Sequence, residues 1–376
     1  MNVLFRCDAS VIIGTGHVMR CLTLAAALRN AGVQCRFVCR AHPGNLIETI
    51  RQRGFAVAEL PWQAGWQCSD TAPRHAAWLG ADWRSDAEQT QAAAAGTAPD
   101  WLIVDHYALD ARWESLMRGW ARRIMVIDDL ADRPHDCDLL LDQNWHGAQT
   151  ASRYAGLVSA ECTHLLGPRY ALLQPEYAAL RAQMPQRDGK VRRVLVFFGG
   201  SDPANLTARA LEALMADAFA HLQVEIVAGR NHPDPQGLAA GAARRPRTSF
   251  AQALPTLVEA MARADLMISG GGATTWERMC LGLPALVVSL AENQTATSAA
   301  LAEAGYQTYL GTAEHVTAQT FTAALHDALA HPERLRTQSS RARELVDGRG
   351  VARVCRYLSE EKDRARAAAA HNGFVS

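Results

Sequence analysis

Residues 3–17, VLFRCDASVIIGTGH, decide the fold. Val3-Leu4-Phe5 reads as a short buried strand that carries through Arg6, Cys7 and Asp8, and Gly14-Thr15-Gly16 makes a turn into a helix opened by His17. The helix follows from spacing. Val18, Cys21, Leu22, Ala25 and Leu28 recur at i, i+3, i+4 and i+7, Arg20 and Arg29 lie off that stripe, and Asn30-Ala31-Gly32 supplies a stop. Glycines between a strand and a helix let backbone N–H groups approach an anion, with the positive end of the helix dipole behind them. A tight turn with no ligand has the same spacing. His17, set directly after Gly16, is either a capping histidine or a base able to take a proton near neutral pH.

The same alternation continues outward. Arg36-Phe37-Val38-Cys39, Trp101-Leu102-Ile103-Val104, Arg123 to Ile127 and Asp138 to Leu141 are further strand candidates with helical patterns between them. Strands that are apolar throughout and separated by helices indicate a parallel sheet covered on both faces. Between Gln67 and Pro99 the pattern is less regular, and it is open whether that segment is a helix over the sheet or a cleft-lining excursion.

A polar stretch broken by proline and glycine, within 183–192, reads as a linker, after which the pattern restarts. Arg193 to Phe198, Val224 to Val227, Asp265 to Ile268 and Ala285 to Val288 are the strands of a second sheet. Asp202 can cap a helix whose first turn would hold Pro203. The expected organisation is α/β, with Rossmann-like domains at 1–182 and 193–358 whose parallel sheets face each other across a cleft, and a tail at 359–376. Ligands on such sheets bind beyond the carboxyl ends of the strands, where the glycine turns fall.

The second chemical signal is SGGGATTWE, residues 269–277. Gly271 and Gly272, with Thr274, would form a nest of donors suited to a diphosphate, and Glu277, about one turn into the next helix, could accept from a ribose diol. Gly199, Gly200 and Asn205 lie in a comparable turn. Asn293 and Gln294, in the loop after the last expected strand, add amides on the same edge.

Composition removes several classes of function. The 376 residues carry 38 Lys plus Arg against 38 Asp plus Glu, so no global field draws the chain to nucleic acid or an anionic membrane. No apolar run reaches the roughly 18 residues of a spanning helix, and the N-terminus passes straight to Arg6 and Asp8, which implies a cytoplasmic protein. The nine cysteines include no CxxC pair, so neither a disulfide framework nor a zinc ribbon is indicated.

FRCDASVIIGTGHVMRC, the Asp105-His106-Tyr107 triplet, GGSDPAN, and SGGGATTWE with Glu292-Asn293-Gln294 together resemble the nucleotide-sugar hydrolases of pseudaminic acid biosynthesis. These act on UDP-2,4-diacetamido-2,4,6-trideoxy-β-L-altropyranose and are similar to the two-domain GT-B glycosyltransferases. The resemblance runs from Met1 to about Gly305. It implies that His17 is the general base, that Gly14 and Gly16 shape the sugar side, that Tyr107 lies near the sugar and that Glu277 holds the ribose. Arg6, Asp8 and Arg20 would be nearby partners, and Trp276 replaces a smaller polar residue of some relatives. The partner implied is a UDP-activated diacetamido sugar, with no cofactor.

A metal is the weaker expectation. Asp136-Cys137-Asp138 matches DxD with Asp128-Asp129 before it, but this copy enters a strand and no other cluster of oxygen ligands is visible. A glycosyltransferase and a non-catalytic UDP-sugar binding module use the same motifs. The oligomeric state is not legible.

Overall fold

The computed structural model describes residues 1–66, 74–94 and 98–360. It divides into two compact units. The first contains Met1–Gln143, Ala151–Leu172 and the chain from Arg349; the second contains Asn144–Thr150 and Leu173–Gly348.

The first unit is built on seven parallel strands: β1 (Asn2–Cys7), β2 (Gln34–Arg40), β3 (Ala56–Leu60), β4 (Trp101–Asp105), β5 (Ile124–Ile127), β6 (Leu139–Asp142) and β7 (Thr163–Leu166). Their order is β3-β2-β1-β4-β5-β6-β7, so the chain winds outward from β1 in one direction, then crosses to β4 and winds in the other. Alternate residues of β1 serve opposite cores. Val3, Phe5 and Cys7 pack with Val18, Leu22 and Leu28 of the helix Gly16–Asn30, whereas Leu4 packs with Val104, Trp113 and Met117 on the other face. Both faces are therefore buried, which is why the strand shows no polar alternation. Val351, Val354 and Leu358 belong to the first of these cores, and the indole of Trp101 donates to the Leu358 carbonyl at 3.2 Å.

The irregular stretch after Gln67 resolves in part. Residues 67–73 and 95–97 lie outside the described residues, but Trp83–Ala93 is a helix, capped by Asp82 through the N–H groups of Arg84 and Ser85. It delivers Asp86 into the interior. There the carboxylate accepts from Arg6 Nε (3.1 Å) and Nη2 (2.7 Å), Arg40 Nη2 (2.6 Å) and the Trp113 indole (3.1 Å). Burying two guanidinium groups is tolerable because each meets a carboxylate, and Asp8 takes the remaining Arg6 donor at 2.7 Å.

The second unit has six parallel strands, β8 (Arg193–Phe197), β9 (Gln223–Ala228), β10 (Thr248–Gln252), β11 (Leu266–Gly270), β12 (Ala285–Ser289) and β13 (Thr308–Thr312), in the order β10-β9-β8-β11-β12-β13. The polar stretch around 183–192 is fastened to this unit: Arg187 donates to the carbonyls of Met261 (3.0 Å), Leu281 (3.4 Å) and Ala264. Among the described residues, no helix is long and apolar enough to cross a membrane. The tail from 361 onward lies outside the described residues.

Candidate functional site

In the first unit the chemistry gathers at the carboxyl ends of β1 and β4, which are neighbours in register, with Cys7 beside Asp105. The chain leaves β1 through a small loop closed by Gly14 N to Ser10 O (2.9 Å), with Gly14 at a φ of +80° that side chains disfavour. Gly16 then starts the helix. Thr15, at its cap, makes no side-chain capping bond, so the first-turn N–H groups keep their donors.

His17 is the second residue of that helix and is 7% exposed. Its Nδ1 lies 2.5 Å from Oδ1 of Asp105, the last residue of β4. A carboxylate only accepts, so Nδ1 carries the proton and Nε2 is left with the lone pair. Arg20, one turn on, grips the same carboxylate with Nε and Nη2, each at 2.6 Å, and reaches Asp129 with Nη1 at 3.1 Å. It lies off the apolar stripe yet is buried, because its charge is met twice over. Burial alone would raise the Asp105 carboxyl, but Arg20 and then His17 override it and hold it well below the usual range.

Tyr107 meets the imidazole edge-on, ring centroids 4.6 Å apart, and gives its hydroxyl to Asp129. It fixes the plane of His17. Arg6 and Asp8 sit deeper. Asp8 is fully buried, accepts the Arg40 N–H at 2.6 Å and has His106 Nε2 at 3.2 Å, so both residues belong to the polar network beneath the loop.

Sequence reasoning missed Asp105 as the partner of His17 and Asp129 as the acceptor for Arg20 and Tyr107. The available signal was an acidic residue closing an apolar strand, and the topology that sets β4 beside β1 supplies the rest. The DxD carboxylates stand apart: Asp136 and Asp138 both accept from Arg118, at 2.8 and 2.7 Å. Asp128 accepts from the N–H groups of Leu130 and Ala131 and pairs with Arg133 at 2.9 Å.

In the second unit Gly270 ends β11, and Gly271-Gly272 lead into the helix Thr274–Cys280, which has no side-chain cap. Gly271 faces Ser298 so closely that a Cβ would collide with its hydroxyl, and Gln294 Nε2 would stand 3.6 Å from a Cβ at Gly272. Gln294 therefore joins the turn, and its Oε1 accepts from Leu290 N at 3.0 Å. Asn293 is exposed. Both lie in the first turn of the helix Glu292–Glu303, not in a loop after the last strand, since β13 follows.

Glu277 lies beside Tyr177, and burial pushes its carboxyl up to about 7 against the lowering effect of that hydroxyl. Trp276 is buried, with its indole donating to Asn144 Oδ1 at 3.2 Å. The turn after β8 has Gly199 at φ +93°, and a side chain at Gly229 would strike the Gly199 and Gly200 carbonyls. Asp202 does cap a helix, through Leu206 N and Thr207 N, both at 2.9 Å. That helix starts at Leu206, later than expected, with Asn205 at its cap in the left-handed region and Pro203 outside it.

Residues 194–350 match the glycosyltransferase family 28 C-terminal domain. The structure of MurG from Acinetobacter baumannii superposes over 96% of this chain and 99% of its own, with a TM-score of 0.63 at 15% identity, and the fold is that of the GT-B glycosyltransferases. In sequence the chain resembles the UDP-2,4-diacetamido-2,4,6-trideoxy-β-L-altropyranose hydrolase of Campylobacter jejuni, at 25% identity over 82% of this chain and 98% of that protein. It also resembles the spore coat polysaccharide biosynthesis protein SpsG of Bacillus subtilis, at 31% identity over 198 residues, which are 52% of this chain. The match spans 57% of the Bacillus protein, little more than half its length.

Proposed function

We propose that this chain hydrolyses a UDP-linked 2,4-diacetamido-2,4,6-trideoxy sugar to UDP and the free sugar. The observation that carries the proposal is the His17–Asp105 pair, an imidazole already held in the tautomer a general base needs. Nε2 of His17 takes a proton from water as the water oxygen bonds to the anomeric carbon. The bond from that carbon to the diphosphate oxygen breaks, and UDP leaves with the electron pair. One displacement from the face opposite the leaving group inverts the centre.

As the imidazole becomes charged, Asp105 stabilises it, and the grip of Arg20 keeps the carboxylate in place without adding a proton. Gly271, whose own N–H donates to the Val288 carbonyl at 3.1 Å, shapes a turn in which the N–H groups of Gly272 and Thr274, with the turn at Gly199 and Gly200, are suited to a diphosphate, and Glu277 to the ribose hydroxyls. Gly14 and Gly16 would leave room for the sugar. Charge development at the leaving group is assigned to backbone donors, so the reaction is expected to run without a divalent metal.

A glycosyltransferase reading is favoured by one observation, the family 28 domain at 194–350. The two separate in an assay of UDP release from the diacetamido sugar nucleotide with no acceptor present. Steady release supports hydrolysis, and release that waits for an added acceptor alcohol supports transfer.

A further inference from the structure

One residue after Glu277 the same helix carries an arginine with no part in the proposed reaction. Arg278 is 0% exposed. Its Nη2 donates to Gln307 Oε1, while Nε and Nη1 find no protein acceptor. Among the described residues no carboxylate pairs with it. Arg6 meets Asp8 and Asp86, Arg40 meets Asp86, and Arg20 meets Asp105, whereas Arg245, which also lacks a carboxylate, spends its donors on the carbonyls of Leu214, Phe219 and Leu222; Arg278 has neither a counter-charge nor a full set of acceptors. Burial without a counter-charge pulls its pKa down to about 9, which still leaves it protonated at neutral pH.

A buried cation with neither a counter-charge nor acceptors for its donors is costly, and a bound anion would offset that cost. A chain of contacts leads from Arg278 to the glycine turn. Gln307, which accepts from Arg278, donates onward to the carbonyl of Ser298 at 3.0 Å, and the side chain of Ser298 lies directly against Gly271. Around the same turn the hydroxyls of Ser269, Thr275 and Ser289 are also buried without a partner. Part of the unspent polarity of this unit thus lies around the Gly270–Gly272 turn.

We propose that Arg278 is a buried counter-charge for an anionic ligand, a nucleoside diphosphate seated at the Gly270–Gly272 turn, and that it acts through the low-dielectric interior without touching the ligand. The inference rests on the reading of that turn as the diphosphate site. It makes Arg278 a positioning residue whose field favours the diphosphate and leaves the nucleoside indifferent, a contribution that surface ions screen poorly.

The test is calorimetric titration of UDP and of uridine into the full chain and three variants. R278M removes the charge, Q307E neutralises it by setting a carboxylate where Arg278 already donates, and R278K keeps it. UDP binding about tenfold or more weaker in R278M and Q307E, with uridine binding unchanged and R278K within about threefold of the wild type, is the expected result. UDP affinity unchanged in R278M and Q307E overturns the proposal. Equal weakening of UDP and uridine, together with a lowered unfolding temperature, assigns Arg278 a structural role and overturns it as well. A wild-type chain that binds UDP no better than uridine refutes the diphosphate site itself, so the two failures are distinguishable.

Discussion

The imidazole Nδ1 of His17 and the carboxylate Oδ1 of Asp105 lie 2.5 Å apart, although 88 positions separate them in the chain. The contact exists because β1 and β4 are neighbours in the sheet and His17 falls in the first turn of the helix after β1. It converts a histidine beside a glycine turn into an oriented base.

Replacing His17 by Gln removes the proton acceptor and keeps much of the volume. Turnover is expected to fall by about 10² to 10⁴, with KM little changed, because the lost interaction forms only as the water is deprotonated. Steady-state kinetics check both parameters.

Asp105→Asn should damage both activity and stability. The neutral amide no longer enforces the base tautomer, and Arg20 is left without its bidentate acceptor, so turnover should fall at least a hundredfold and unfolding free energy by about 3 kcal/mol. Urea denaturation alongside kinetics separates the two effects. Stability equal to the wild type would remove Arg20 from this account.

Glu277 gives a pH dependence with a definite sign. Its carboxyl is raised from 4.5 to about 7 in the fold, so the stability linked to it is present below pH 4.5 and is lost as pH rises through 7. Glu277→Gln should therefore raise the melting temperature at pH 8 and barely alter it at pH 5. UDP binding should strengthen as pH rises through 7 in the wild type, when the carboxylate forms, and that slope should vanish in the variant.

The glycine turn can be tested by geometry alone. Gly271→Ala sets a Cβ against the hydroxyl of Ser298, so UDP affinity should fall several-fold, and adding Ser298→Ala should recover most of it. Titration of the single and double variants reads the coupling directly.

The strands that were legible in the sequence are the interior ones. β1, β2, β4, β5, β6, β8, β9, β11 and β12 are nearly continuous runs of buried residues, whereas the unread β3, β7, β10 and β13 are the four edges of the two sheets. An edge strand is covered less. β13 is only half-buried along its length, and β10 has no fully buried residue, so periodicity had little to register. The site shows the same division. Gly14, Gly16 and His17 were readable because a turn and its neighbour are local, while Asp105, Asp86 and the Arg278–Gln307 contact join distant segments through the fold. Asn293 and Gln294 show the limit of a local reading, since one helical turn leaves the first exposed and sets the second against Gly272.

The central claim is that water activated at His17 attacks the anomeric carbon of a UDP-sugar. NMR of the reaction with UDP-2,4-diacetamido-2,4,6-trideoxy-β-L-altropyranose in oxygen-18 water tests it most directly. The expected result is one oxygen-18 in the anomeric hydroxyl of the released sugar, none in UDP, and the inverted anomer formed first. Oxygen-18 in the β-phosphate of UDP, or initial retention of configuration, would contradict it.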